Sequence, residues 1–117
     1  MRIGAAIGVT ALLVGVMVYF ASLSQSAQQT VFLSAEDSSF SSKSLHFWPD
    51  VRVSLVFTNL GELPHNVQIT QGADKIFQGE IAEGGTRTVY HLPPLRAGSY
   101  QFGCTIHPQM TGEISVE

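Results

Sequence analysis

Val51-Arg-Val-Ser-Leu-Val-Phe-Thr58 is the most regular stretch of this 117-residue chain. Val51, Val53, Leu55 and Phe57 alternate with Arg52, Ser54, Val56 and Thr58. A period of two makes a strand with one buried and one largely polar face, and the buried face requires a second layer to cover it. Upstream, Ser44–Trp48 reads as a shorter strand ended by Pro49-Asp50, and Thr30–Ala35 as the first. Downstream, Asn59-Leu-Gly61 turns the chain into a loop carrying Leu63-Pro-His-Asn-Val67. Further strands are expected over Val67–Thr70, Lys75–Ile81, Thr86–Leu92, Ser99–Cys104 and Gly112–Val116, separated by Gln71-Gly-Ala-Asp74, Gly84-Gly85, Pro93-Pro94 and Ala97-Gly98. About eight short strands at roughly 8–12-residue spacing predict an all-β fold, an antiparallel Greek-key β-sandwich. Outside the N-terminal segment, helix is expected only as a single turn, within 36–43 or 60–64.

The N-terminus has a different character. Ile3 to Ala21 is a run of 19 residues without a charge, preceded by Arg2 and followed by the polar Ser22-Leu-Ser-Gln-Ser-Ala-Gln-Gln29. As a helix it would rise about 28 Å, roughly the hydrocarbon thickness of a bilayer. The expected organisation is a transmembrane anchor over 1–23, a polar linker over 24–29 and a single domain over 30–117. A cleaved signal peptide is the competing reading of the same run, and either one exports the domain. About 90 residues suffice for one hydrophobic core and are too few for two.

Without Arg2, 5 Lys and Arg face 9 Asp and Glu, a formal charge of −4. There is no basic run, so a nucleic-acid partner is not expected. A partner steered by charge would carry a basic patch. The chain has one cysteine, so no disulfide partner competes for its sulfur. Cys104, His107 and Met110 fall within seven residues in Gln101-Phe-Gly-Cys-Thr-Ile-His-Pro-Gln-Met-Thr-Gly112, and His65 lies 39 positions before Cys104. One thiolate, two imidazoles and a thioether suit copper, with the methionine as a weak axial ligand. Zinc is disfavoured because thioether is a poor ligand for it. A binuclear copper centre needs two cysteines. His46 and His91 have no ligand partner at a convincing spacing and read as structural or surface residues. The carboxylates of Glu62, Glu80, Glu83 and Glu113 show no pairing suited to acid–base chemistry.

Gly98-Ser-Tyr-Gln-Phe-Gly-Cys-Thr-Ile-His-Pro-Gln-Met-Thr-Gly112, together with Pro64-His-Asn66, closely resembles the cupredoxin, or small blue-copper, family. The spacing C-x₂-H-x₂-M and the His-to-Cys interval are most similar to the amicyanin type, and the resemblance covers roughly residues 30–117. It implies a single type 1 copper ion bound by His65, Cys104, His107 and Met110. It further implies that Asn66 hydrogen-bonds Thr105, tying the two ligand loops, and that Tyr100 packs before the cysteine strand. Ile106 departs from the family pattern, which usually has proline there.

The expected function is non-enzymatic: one-electron transport at the extracytoplasmic side of the cell membrane, with the N-terminal helix spanning it. Four-fold coordination leaves no open position for a substrate. The exposed edge of His107, ringed by Leu63, Pro64, Pro108 and Gln109, is the expected port for a cytochrome c, an oxidase or a reductase. The alternative is a protein that delivers copper to a membrane or exported cuproenzyme, and a third is a metal-free structural module.

Overall fold

The computed structural model describes residues 27–117, so the expected anchor over 1–23 and residues 24–26 of the linker lie outside the described residues. Nine strands follow in chain order: β1 Gln28–Glu36, β2 Ser39–Phe40, β3 Ser44–Phe47, β4 Arg52–Asn59, β5 Gln68–Gln71, β6 Asp74–Gln78, β7 Arg87–Leu92, β8 Gly98–Cys104 and β9 His107–Val116. Eight of them overlie the expected strands. The ninth, β2, occupies the 36–43 segment where a helical turn was the alternative. It pairs with the end of β1 as a tight hairpin, turning at Asp37-Ser38 with Asp37 at φ 54°. A short acidic side chain tolerates that left-handed backbone, and a two-residue hairpin requires it. The 60–64 segment is irregular, and no helix occurs among the described residues.

The strands form a four-stranded sheet, β2-β1-β4-β7, and a five-stranded sheet, β3-β9-β8-β5-β6. Pairing is not antiparallel throughout, as the sequence pattern suggested: β1 runs parallel to β4, and β3 parallel to β9. After β2 the chain leaves the first sheet, lays β3 on the edge of the second and returns as β4. A strand reached by such a crossover can lie parallel to its neighbour, which a hairpin cannot do.

The alternation in β4 places Val53, Leu55 and Phe57 in the core, all at most 2% exposed. Leu33, Ala35, Tyr90 and Leu92 join them from the same sheet, facing Leu45, Phe47, Ile69, Tyr100, Phe102, Ile114 and Val116 from the other. Each large apolar side chain so buried contributes about 1.5–3 kcal/mol. Aromatic rings cross the gap between the sheets. Phe40 stands 5.2 Å from Phe102 and 6.3 Å from Phe57, and Phe57 stacks on Tyr90 at 5.9 Å between ring centroids.

Phe102 lies directly across from Gly112 in the β8–β9 ladder, and its ring covers the glycine. A Cβ at Gly112 would run into that ring and approach the Lys43 carbonyl oxygen to 2.9 Å. Backbone on one side and a packed ring on the other leave no room to yield. Gly112→Ala should therefore cost about 1–3 kcal/mol. The expected readout is a lower denaturant midpoint at unchanged m-value.

Candidate metal centre

The β8–β9 hairpin supplies most of the site. Gly98 to Gly103 pair regularly with Val116 to Thr111, and then the register jumps so that Cys104 faces His107. Only Thr105 and Ile106 remain to make the turn, so thiol and imidazole are brought together across a two-residue loop. The jump leaves Pro108, Gln109 and Met110 without partners in the ladder, and this bulge folds Met110 inward to 2% exposure. Gly103 makes room for it: a Cβ there would stand 3.0 Å from the Met110 carbonyl oxygen. His107 and Met110 were expected on a loop before the last strand. They belong instead to β9, because the ladder resumes at once after the turn.

His65 arrives on the connection from β4, in the first sheet, to β5, in the second. Its backbone bridges Ala82 in both directions, N–H to carbonyl at 3.1 Å and carbonyl to N–H at 2.7 Å. Asn59, at the end of β4, organises this connection. It is fully buried, and its amide nitrogen donates to the Leu63 carbonyl at 2.7 Å and the Ala82 carbonyl at 3.0 Å. Gly84 lets the facing loop in, since a Cβ there would sit 2.6 Å from the Glu62 carbonyl oxygen. Neither Asn59 nor Gly84 was singled out from sequence. An Asn-x-Gly turn and a Gly-Gly pair are ordinary loop signals, and only the contacts across the fold give them this role.

Asn66 joins the two halves of the site. Its side-chain oxygen accepts from the Thr105 backbone N–H at 2.9 Å and from the Thr105 hydroxyl at 3.1 Å, as the sequence resemblance implied. Its amide nitrogen donates to the Gly79 carbonyl at 3.0 Å, within a residue that is 1% exposed.

The outcome is a cluster in which ligand atoms of His65, Cys104 and His107 all lie within 4.8 Å of one another. Cys104 Sγ stands 3.9 Å from His65 Nδ1 and 3.5 Å from His107 Nδ1. A thiolate at about 2.3 Å and an imidazole at about 2.0 Å from a shared first-row metal ion are about 3.5 Å apart at a tetrahedral angle and about 3.7 Å apart at a trigonal one. The spacing therefore fits one ion between the three donors. Met110, 2% exposed, is buried in the bulge three residues beyond His107. The donor set, with its soft sulfurs, fits one type 1 copper ion. Among the described residues, the cluster includes neither His46 nor His91. His46 sits exposed in β3 with Nε2 3.0 Å from the Glu117 carbonyl, and His91 is exposed on β7.

Electrostatics favour a neutral imidazole at His65. Burial lowers its pKa below 6.5, and the neighbouring His107 lowers it further, while the backbone and carboxylate of Asp37 act weakly the other way. A neutral ring is the form that binds metal. On the core side, burial pushes the Tyr90 hydroxyl up to about 12, with the charges of Cys104 and Glu80 adding to the effect. Tyr90 donates to the Glu80 carbonyl at 2.6 Å.

Removing the tie between the loops should be costly. Asn66→Ala leaves the Thr105 N–H and the Gly79 carbonyl without partners and is expected to destabilise the metal-free protein by about 2–3 kcal/mol. Asn66→Asp keeps the acceptor for Thr105 and should recover part of that loss in urea titrations. Equal losses for the two variants would show that the Thr105 bonds contribute little.

Comparison with known proteins agrees with the geometry. A family profile described as a cupredoxin-like domain matches residues 8–116. Amicyanin-alpha of Methylorubrum extorquens is 32% identical over 75 residues, 59% of this chain, and the chain covers 61% of that relative's length. Among solved structures, auracyanin A of Chloroflexus aurantiacus, described as a "blue" copper protein, superposes with a TM-score of 0.69 at 16% identity, over 78% of this chain and 100% of that one. A reduced amicyanin variant gives a TM-score of 0.60 at 26% identity, covering 75% of this chain and 82% of its own. With a profile spanning nearly the whole chain, and a sandwich that gathers a thiol and two imidazoles at one pole, the protein belongs to the cupredoxin-like domain family.

Proposed function

We propose that the protein carries single electrons by means of one copper ion bound by His65, Cys104, His107 and Met110. The observation that carries this reading is the convergence of His65, Cys104 and His107 at one end of the sandwich. Copper would supply the one-electron redox couple, and the chain's own residues supply rigidity, dryness and a single exit. Rigidity comes from the two-residue turn and from Asn66, which restrain Cys104, His107 and His65 against one another. A site so restrained reorganises little when its charge changes. Dryness comes from burial: His65 is 0%, Met110 2% and Cys104 5% exposed. An apolar surround and a weak thioether both tune the potential of such a centre.

His107 is the half-buried member of the set, and its ring edge is the natural exit for the electron. Ile106, beside it in the turn, is 46% exposed, Leu63, two residues before His65, is 44% exposed, and Pro108 and Gln109 are also exposed. An apolar rim of this size suits brief docking with a redox protein such as a cytochrome c, an oxidase or a reductase. The reading includes tethering by the N-terminal apolar segment, with the domain on the extracytoplasmic side of the membrane. It involves no catalytic reaction, because the four proposed ligands leave no position for a substrate. Copper delivery is the lesser reading, since a delivery site gains from mobility, and the Asn66–Thr105 bonds oppose that.

The test is spectroscopic. Added Cu(II) should give an intense visible absorption with narrow copper hyperfine splitting, and Cys104→Ser should abolish both. Met110→Leu should keep the colour and raise the midpoint potential, because an apolar side chain replaces a weak donor. A colourless wild-type protein, or a colour that survives Cys104→Ser, would refute the assignment. Fast copper loss to a chelator, combined with sluggish reduction, would favour delivery.

A further inference from the structure

Among the described residues, no other layer of the fold covers the outer face of the four-stranded sheet. Its central row is apolar: Phe32, Val56 and Val89 are direct partners across β1, β4 and β7. Phe32 is 67% exposed and Val89 44%, while Val56 between them is 7% exposed. Cations flank this row. On one side Ser54 pairs with Thr30 and His91, and Arg52 pairs with Gln28; on the other, Thr58 pairs with Ser34 and Arg87. These rows hold two arginines and a histidine and no carboxylate, and the first acid along β1 is Glu36 at the hairpin with β2. The surrounding domain, with 5 Lys and Arg against 9 Asp and Glu, is acidic. A groove of about 460 Å³, lined by Gln28, Arg52, Ser54, His91, Pro93 and Pro94, runs along the first row.

We propose that this face seats on the headgroups of an anionic phospholipid bilayer, with Arg52 and Arg87 meeting phosphates and Phe32 entering the interface between them. Two observations select this occupant. One is charge: cations around an exposed aromatic, on an otherwise acidic domain, match an anionic interface. The other is where the remaining chain ends. The uncharged run closes at Ala21, and only residues 22–27 separate it from Gln28, which lies in the first row of this face. Six extended residues reach at most about 20 Å. The proposal goes beyond the electron-carrier reading and rests on its tethering element only for the position of the bilayer. In this posture β4 lies along the membrane, and the metal pole stands about 25 Å from the tether, one strand length away. Redox partners would then be met laterally, along the membrane plane.

The full chain, reconstituted into phosphatidylcholine vesicles with or without phosphatidylglycerol, tests this directly. A Phe32→Trp reporter in a Trp48→Phe background should be quenched by brominated lipid when phosphatidylglycerol is present. A Gln101→Trp reporter, on the outer face of the other sheet, should not. Arg52→Gln and Arg87→Gln should each lower the docked-to-undocked ratio about fivefold. Equal quenching at the two positions overturns the proposal, as does indifference to the arginine changes. Shielding of the Phe32→Trp reporter from aqueous iodide in lipid-free protein would assign the face to a second copy and overturn it too. Flotation with pure phosphatidylcholine reports on tethering separately. A chain that fails to float, yet shows quenching with phosphatidylglycerol, refutes the anchor and supports the face. A floating chain with an unquenched Phe32→Trp reporter refutes the face and supports the anchor.

Discussion

The site depends on one side chain that belongs to neither sheet. Asn66 rides the crossing from the first sheet to the second, next to His65, and reaches the turn that carries Cys104 and His107. Without that tie, the two ligand-bearing segments would be related only through the packing of the sheets beneath them. With it, an amide nearly excluded from water uses both its oxygen and its nitrogen, and fixes turn, crossing and the Gly79 strand end together. Buried polar groups that are fully satisfied specify a unique arrangement more strongly than apolar packing does, since each alternative leaves a polar atom unpaired. A redox centre needs that uniqueness more than it needs stability.

The remaining geometry follows from backbone register. Cys104 and His107 are opposite one another because the turn between them has two residues, and Met110 folds inward because the ladder skips three positions before resuming at Thr111. The glycines at 103 and 112 are the steric consequence: one admits the Met110 backbone, the other lies beneath the Phe102 ring. Bulges of this kind re-aim side chains at the ends of sheets. Here the re-aimed side chain is the thioether.

Much of this could be read in the sequence, for reasons that differ between elements. Alternation in Val51–Thr58 revealed β4 because each residue's burial is set by its own position on a pleat. Cys104, His107 and Met110 were legible because covalent proximity nearly forces them together. His65 was legible only in combination, as the second imidazole that completes the donor set and through the family resemblance, because a lone histidine in a loop carries no signal of what lies across the fold. The parallel pairings of β1 with β4 and β3 with β9 were not legible at all. They arise from packing between segments far apart in sequence, and both arrangements of such strands bury the same residues. β2 escaped notice because two residues are too few to show a period. Asn59 escaped because one of its two carbonyl partners, Ala82, is 23 residues away.

The fold also separates what must be still from what must be reached. β1 and β4 run side by side from Gln28 and Arg52 to Ala35 and Asn59, so the chain enters at one pole and the donors gather at the other. Apolar side chains are left in water at both places. Leu63 and Ile106 are exposed at the metal pole, and Phe32 and Val89 on the outer sheet face. Each costs solubility, and neither group adds to the core. The two sets differ in their neighbours, however. Phe32 and Val89 lie among arginines and a histidine, whereas Ile106 lies between Thr105 and His107, and Leu63 follows the exposed Glu62. Cations around an apolar row favour a long-lived seat on an anionic surface, because charge and burial act together. An apolar rim without arginines around it lacks that second hold and suits the brief encounters of the proposed electron carrier. The two surfaces proposed above, one for a lasting seat on a membrane and one for brief docking of redox partners, are thereby placed apart.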